Sequence, residues 1–87
     1  MGLSLNRLIE VMEFAERNDL YFGISVTVPG CDKPEVIINH PRNLKSKLEY
    51  YKNAYDNTCR LKVKNEIRIV KYAYGKKFNE IQRELGL

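Results

Sequence analysis

The chain has 87 residues, of which 44% are hydrophobic and 30% charged, and its 15 Lys and Arg against 11 Asp and Glu give a formal net charge of +4. That length supports a single small domain over residues 1–87, rules out two conventional domains, and leaves little chain for walling a roomy substrate cavity. With only five Gly and three Pro, the composition is that of a folded globular chain and not of a disordered tract.

The first predicted element is a helix over residues 4–17. Leu5, Leu8, Ile9, Met12 and Ala15 recur on one face, Ser4 stands ready as N-cap, and Asn6, Glu10, Glu13 and Arg17 gather opposite. Phe14 falls among those polar residues, so it either packs under a neighbouring loop or is offered to a partner. Asn18 and Asp19 end the helix. Residues 20–28 alternate as a strand, with Leu20, Phe22, Ile24, Val26 and Val28 on one face and Tyr21, Gly23, Ser25 and Thr27 on the other. That pattern asks for burial on one face only. The Pro- and Gly-bearing stretch 29–34 is a turn, which makes 35–40 the second arm of a hairpin, with Val36, Ile38 and His40 inward, or Ile37 if the register differs.

Pro41 stops that arm, and Asn43 is placed to cap a second helix from Leu44. Leu44, Leu48, Tyr51 and Tyr55 form its apolar stripe, and Tyr50 points away from it. The plainer reading of these tyrosines is that their rings cover a thin core while their hydroxyls reach water. Over residues 58–64, Cys59, Leu61 and Val63 alternate with Arg60, Lys62 and Lys64, which fits a short edge strand or an extended loop. Ile67–Tyr74 reads as a strand whose apolar phase changes part-way, the signature of a bulge or of two-sided burial. A last short helix over 77–85 sets Phe78, Ile81 and Leu85 on one side and stops at Gly86. The expected fold class is therefore α+β: a two-layer domain in the order α-β-β-α-(β)-β-α, its antiparallel sheet of three or four strands covered on one face by helices.

Charge is unevenly spread. Residues 1–40 carry three basic and six acidic side chains, a net of −3, whereas residues 41–87 carry twelve and five, a net of +7. The basic residues Arg60, Lys62, Lys64, Arg68, Lys71, Lys76 and Lys77 are interleaved with Tyr72 and Tyr74. Lysine and arginine neutralise phosphates and tyrosine rings stack on unpaired bases, so this stretch is a candidate nucleic-acid surface. It carries no RNP, GXXG, zinc-finger or helix-turn-helix motif. The same cations suit an acidic protein surface, and the plainest reading is a solvated face.

Little else carries chemistry. Cys31 and Cys59 form no CxxC pair and His40 is the only imidazole, so no metal centre and no cofactor are expected. With no apparent leader at the start, both cysteines are expected as free thiols in a reducing cytoplasm. No apolar run approaches the ~18 residues of a membrane span. Glu10, Glu13 and Glu16 sit beside Arg17 as a solvated face and not as an acid–base pair. The single glycines make neither a phosphate loop nor a dinucleotide fingerprint. A non-enzyme is expected.

The segments NDLYFGI (residues 18–24), KPEVIIN (33–39), LKSKLEYYKNAYD (44–56) and IRIVKYAYGKKFNEI (67–81) resemble small accessory proteins encoded by phages and prophages of Gram-positive bacteria. The resemblance spans most of the chain and has no catalytic motif from which a functional residue could be carried over. It implies action in the cytoplasm of a bacterial host by binding and blocking a host or defence component. Many anti-defence proteins that imitate DNA are acidic, and this chain is basic, which argues against DNA mimicry and leaves inhibition through a protein contact open. The expectation is a protein-binding accessory protein. Its candidate partner-binding residues are Phe14, Tyr50, Arg60, Lys62, Lys64, Arg68, Lys71, Tyr72 and Tyr74. Nucleic acid is the alternative partner, and a homodimer through a free strand edge or an open sheet face is a third expectation.

Overall fold

The computed structural model describes residues 3–86. Its elements are α1 (Leu5–Arg17), β1 (Tyr21–Thr27), β2 (Glu35–Asn39), a 3-10 turn (Pro41–Asn43), α2 (Leu44–Ala54), β3 (Arg60–Leu61), β4 (Lys64–Gly75) and α3 (Phe78–Glu84). The strands form one antiparallel sheet in the order β2-β1-β4-β3. The α+β class and the expected order of elements are therefore observed.

Local chemistry accounts for the ends of α1. The Ser4 hydroxyl accepts from the Arg7 amide at 3.2 Å, satisfying one of the donors that a helix start leaves unpaired. At the other end Asp19 takes a left-handed conformation (φ 57°). The Leu20 amide then donates to the Ala15 carbonyl at 2.8 Å and the Asp19 amide to the Glu16 carbonyl at 3.3 Å. This paired closure reverses the chain and delivers Leu20 into the core at the mouth of β1. The start of α2 differs from expectation, because Asn43 makes no side-chain cap. His40 caps instead, its Nδ1 accepting from the Arg42 amide at 3.2 Å at the head of the 3-10 turn that leads into the helix.

The two faces of the sheet are filled unequally. Phe22, Ile24, Val26 and Ile69 meet α1 (Leu5, Leu8, Val11, Met12, Ala15) and α2 (Leu44, Tyr51) in the main core. The opposite face is not left open along its whole length, as the alternation of β1 implied. Ile81 of α3 and Leu85 at its C-cap pack there with Ala73, Val36 and Ile38, so the helices cover both faces and not one. Gly23 is the contact point. A Cβ at this position would lie 2.6 Å from Ile81 Cγ2 and 2.9 Å from Leu85 Cδ1, closer than side chains can approach.

A bulge in β4 sets the rest of the geometry. Pairing with β1 runs Ser25 with Lys71 and then Val26 with Ile69, leaving Val70 as the extra residue. The expected phase change is thus a register shift. Of the stretch 58–64, Arg60–Leu61 is strand and Lys64 opens β4, with a turn at Lys62 and Val63 between them that leaves Val63 90% exposed.

Candidate functional site

The bulge at Val70 redistributes the basic and aromatic residues of β4. Directly opposed residues of an antiparallel pair share a face, so the pairs Gly23 with Ala73, Ser25 with Lys71 and Thr27 with Arg68 all lie on the α3 side. The pairs Phe22 with Tyr74 and Ile24 with Tyr72 lie on the α1 side. Uninterrupted alternation would have put Arg68 with Tyr72 and Tyr74. The interleaved cationic and aromatic surface expected from the sequence does not form: the tyrosines part from Arg68 and Lys71.

The tyrosines find apolar partners instead. The Tyr72 ring stacks on Phe22 with centroids 6.1 Å apart, and Tyr74 meets Phe14 edge-to-face at 5.5 Å. Phe14 and Tyr74 remain 42% and 47% exposed, so the pair stands at the surface where α1 crosses β4. It borders a shallow hollow of about 360 Å³ lined also by Arg7, Glu10, Val11, Glu13 and Arg17. Arg7 and Glu10 form an exposed ion pair at 3.6 Å on its rim. This contact explains an aromatic on the polar side of α1.

The cations assemble elsewhere. Arg60 of β3 is the register partner of Arg68 of β4, which is in turn the partner of Thr27. These three side chains thus form a row across three strands, on the part of the sheet that α3 leaves uncovered. Thr27, Arg60 and Arg68 line a hollow of about 320 Å³ together with Asn65 and Glu66. The turn before β3 is held by Asp56, whose Oδ1 accepts from the Thr58 amide (2.9 Å), the Thr58 hydroxyl (2.7 Å) and the Arg60 amide (3.1 Å). Those bonds, the Thr58 hydroxyl foremost, hold the Asp56 carboxyl below the ordinary carboxylate range. Cys59 sits buried in this turn at φ 63°, and its carbonyl accepts from the Ile69 amide at 2.9 Å. Lys62 and Lys64 flank the exposed hairpin turn.

Tyr50 belongs to a third place. It is 52% exposed on α2, edge-to-face with Tyr51 at 5.4 Å, with Lys47 Nζ 5.8 Å from its ring centre. Burial pushes the Tyr55 phenol up to about 12 and raises Tyr51 as well, the latter against a smaller opposing effect of Asn39. Both hydroxyls hold their protons as part of the core. Cys31 is an exposed free thiol and Cys59 a buried one. Burial, reinforced by the Asp56 charge, raises Cys59, the reverse of what activates a nucleophile. His40 serves the 3-10 turn.

The nine candidate residues therefore divide between the Phe14–Tyr74 surface, the Arg60–Arg68 row with Lys71 and the lysines of the adjoining hairpin, the Tyr50 cluster, and the half-buried Tyr72 on Phe22. The residues that complete the two hollows were not anticipated as site residues. Arg7, Glu10, Phe14 and Arg17 recur at three- and four-residue steps, a helical signal present in the sequence. The pairing of Arg60 with Arg68 had no local signal. Among the described residues, no helix is long and apolar enough to cross a membrane. Comparison with protein-family models, curated proteins and solved structures returns no match to this chain.

Proposed function

We propose that this chain is a non-enzymatic binding protein that docks a partner protein on the α1–β4 surface around Phe14 and Tyr74. The supporting observation is the exposed edge-to-face contact of these two rings beside Arg7 and Arg17. Tyr, Phe and Arg are enriched in the centres of protein interfaces, where rigid rings give contact area at low entropic cost. Their hollow is open and shallow, a shape suited to a protein surface and not to an enclosed small substrate. The resemblance to phage and prophage accessory proteins supplies the context: the partner is a host or phage protein in the bacterial cytoplasm, and binding blocks a host defence component.

Affinity capture from the source cells with nuclease present, followed by measured affinity for the recovered partner, tests this reading. Replacing Phe14 and Tyr74 together by Ala is expected to weaken binding by about 30-fold or more, as for a central hot spot worth ~2 kcal/mol. A partner bound equally well by the double variant removes this surface from consideration.

A further inference from the structure

We propose that the uncovered half of the α3-side sheet face is a docking surface for the phosphate backbone of double-stranded DNA, recognised by charge and without base readout. The row Thr27, Arg68, Arg60 is its centre, and Lys71 continues it on the same face at the level of Ser25. Like charges directly opposed across strands work against sheet stability. Here no direct ion pair offsets them: among the described residues the ion pair is Arg7 with Glu10, and the Asp56 carboxylate feels the Arg60 charge without bridging to it. One carboxylate, Glu66, lines the same hollow against two guanidinium groups, which leaves the hollow positive. The Arg68 Nε is buried and has no hydrogen-bond partner, so a donor remains unsatisfied beside that hollow.

With their strands about 4.8 Å apart, two arginines in register can share a single tetrahedral oxyanion through their guanidinium forks. Thr27, whose hydroxyl donates to the Arg68 carbonyl at 3.3 Å, and Asn65 line the same hollow. A lone phosphate would leave Lys71, Lys62 and Lys64 idle. A polymer of phosphates engages all five cations, with the hairpin turn at Lys62 and Val63 extending the contact beyond the face. Duplex is favoured over single strand because Tyr72 and Tyr74 lie on the opposite face, and no ring lines the cationic hollow to stack an unpaired base. A nucleic acid is favoured over an acidic protein because the hollow lacks the aromatic or aliphatic anchor that protein interfaces place at their centres. This proposal is independent of the Phe14–Tyr74 reading, which concerns the other side of the sheet.

The test is fluorescence anisotropy of the full chain with a short labelled DNA duplex of mixed sequence, titrated with salt from about 50 to 200 mM. Binding is expected with a log affinity against log salt slope of about −4 to −5, corresponding to some five phosphates neutralised. R60Q combined with R68Q is expected to lower affinity about tenfold or more and to reduce the slope by about 2. R60K with R68K should keep the slope and still lose affinity, because lysine lacks the bidentate fork. Phe14→Ala with Tyr74→Ala should leave duplex binding unchanged. Thermal melts of each variant confirm folding. Four outcomes overturn the proposal: no binding at the lowest salt with ~100 µM protein, a range that covers ordinary non-specific affinities; R60Q/R68Q binding like the parent; a single strand bound more tightly than the duplex; or poly-L-glutamate bound as tightly as the duplex.

Discussion

The two faces of the sheet differ in what they are built for. On the α1–α2 side, fourteen buried residues form one cluster that includes Phe22, Leu8, Met12, Ile24 and Leu44, all fully inaccessible. On the α3 side, three of the described residues are buried in the second cluster, and beyond it the face turns cationic. A chain this small has one core's worth of apolar side chains. Concentrating them on one side supports the fold, and the other side is then free to carry groups that a stable core would exclude.

Deleting a large side chain from each side separates their contributions to stability. Phe22→Ala is expected to cost about 3–5 kcal/mol, enough to unfold most of the population of so small a domain. Leu85→Ala on the α3 side should cost less, about 2 kcal/mol at the low end of such truncations, because the end of a short helix relaxes into the space. Urea unfolding followed by far-UV circular dichroism measures both, and equal losses would show that the two sides share the stability evenly. Gly23→Ala sharpens the contrast. Its methyl group would collide with Ile81 and Leu85, so a destabilisation of about 1–3 kcal/mol is expected. Amide chemical shifts should change chiefly over residues 76–86 and along β2, with those of α1 and α2 nearly unmoved.

The smallest effect at neutral pH concerns the tyrosines of the main core. Tyr55 is held at about 12 and Tyr51 above its ordinary value near 10. A raised folded-state value means that the native protein binds the phenolic proton more tightly than the unfolded chain does. The associated stability is therefore complete below about pH 10 and is lost as pH rises toward 12. Absorbance titration at alkaline pH should show two of the six tyrosines ionising late and together with unfolding. Six tyrosines ionising together near their ordinary value would contradict this packing.

Much of the architecture was legible in the chain. The three- and four-residue recurrence of apolar residues marks α1 and α3, and the alternation from Leu20 to Val28 marks β1. What misled was Gly23, which in an alternating strand looks like an outward position. Its missing side chain is the space into which α3 settles, and a glycine inside a strand is itself a signal of close approach. The candidate site was less legible because it depends on register. The phase change near Val70 is visible in the sequence, but the partner strand decides which neighbours it separates. It was this shift that placed Lys71 with Arg68 and sent Tyr72 and Tyr74 to the other side. The meetings of Arg60 with Arg68 and of Phe14 with Tyr74 join elements distant in the chain, and no local periodicity encodes them.

The way α3 is attached has a kinetic consequence. A seven-residue helix is too short to persist by itself, and this one is anchored by Ile81 and Leu85 alone among its fully packed side chains. It is the natural unit of sub-global opening, separating from the sheet while the main core stays closed. Amide exchange should then fall into two tiers, with residues 78–85 exchanging through this local event and the amides of β1 only when the whole chain unfolds. Each opening would bare Val36, Ile38 and Ala73 next to the cationic row, so the proposed docking face would gain a second, larger and more apolar form without global unfolding.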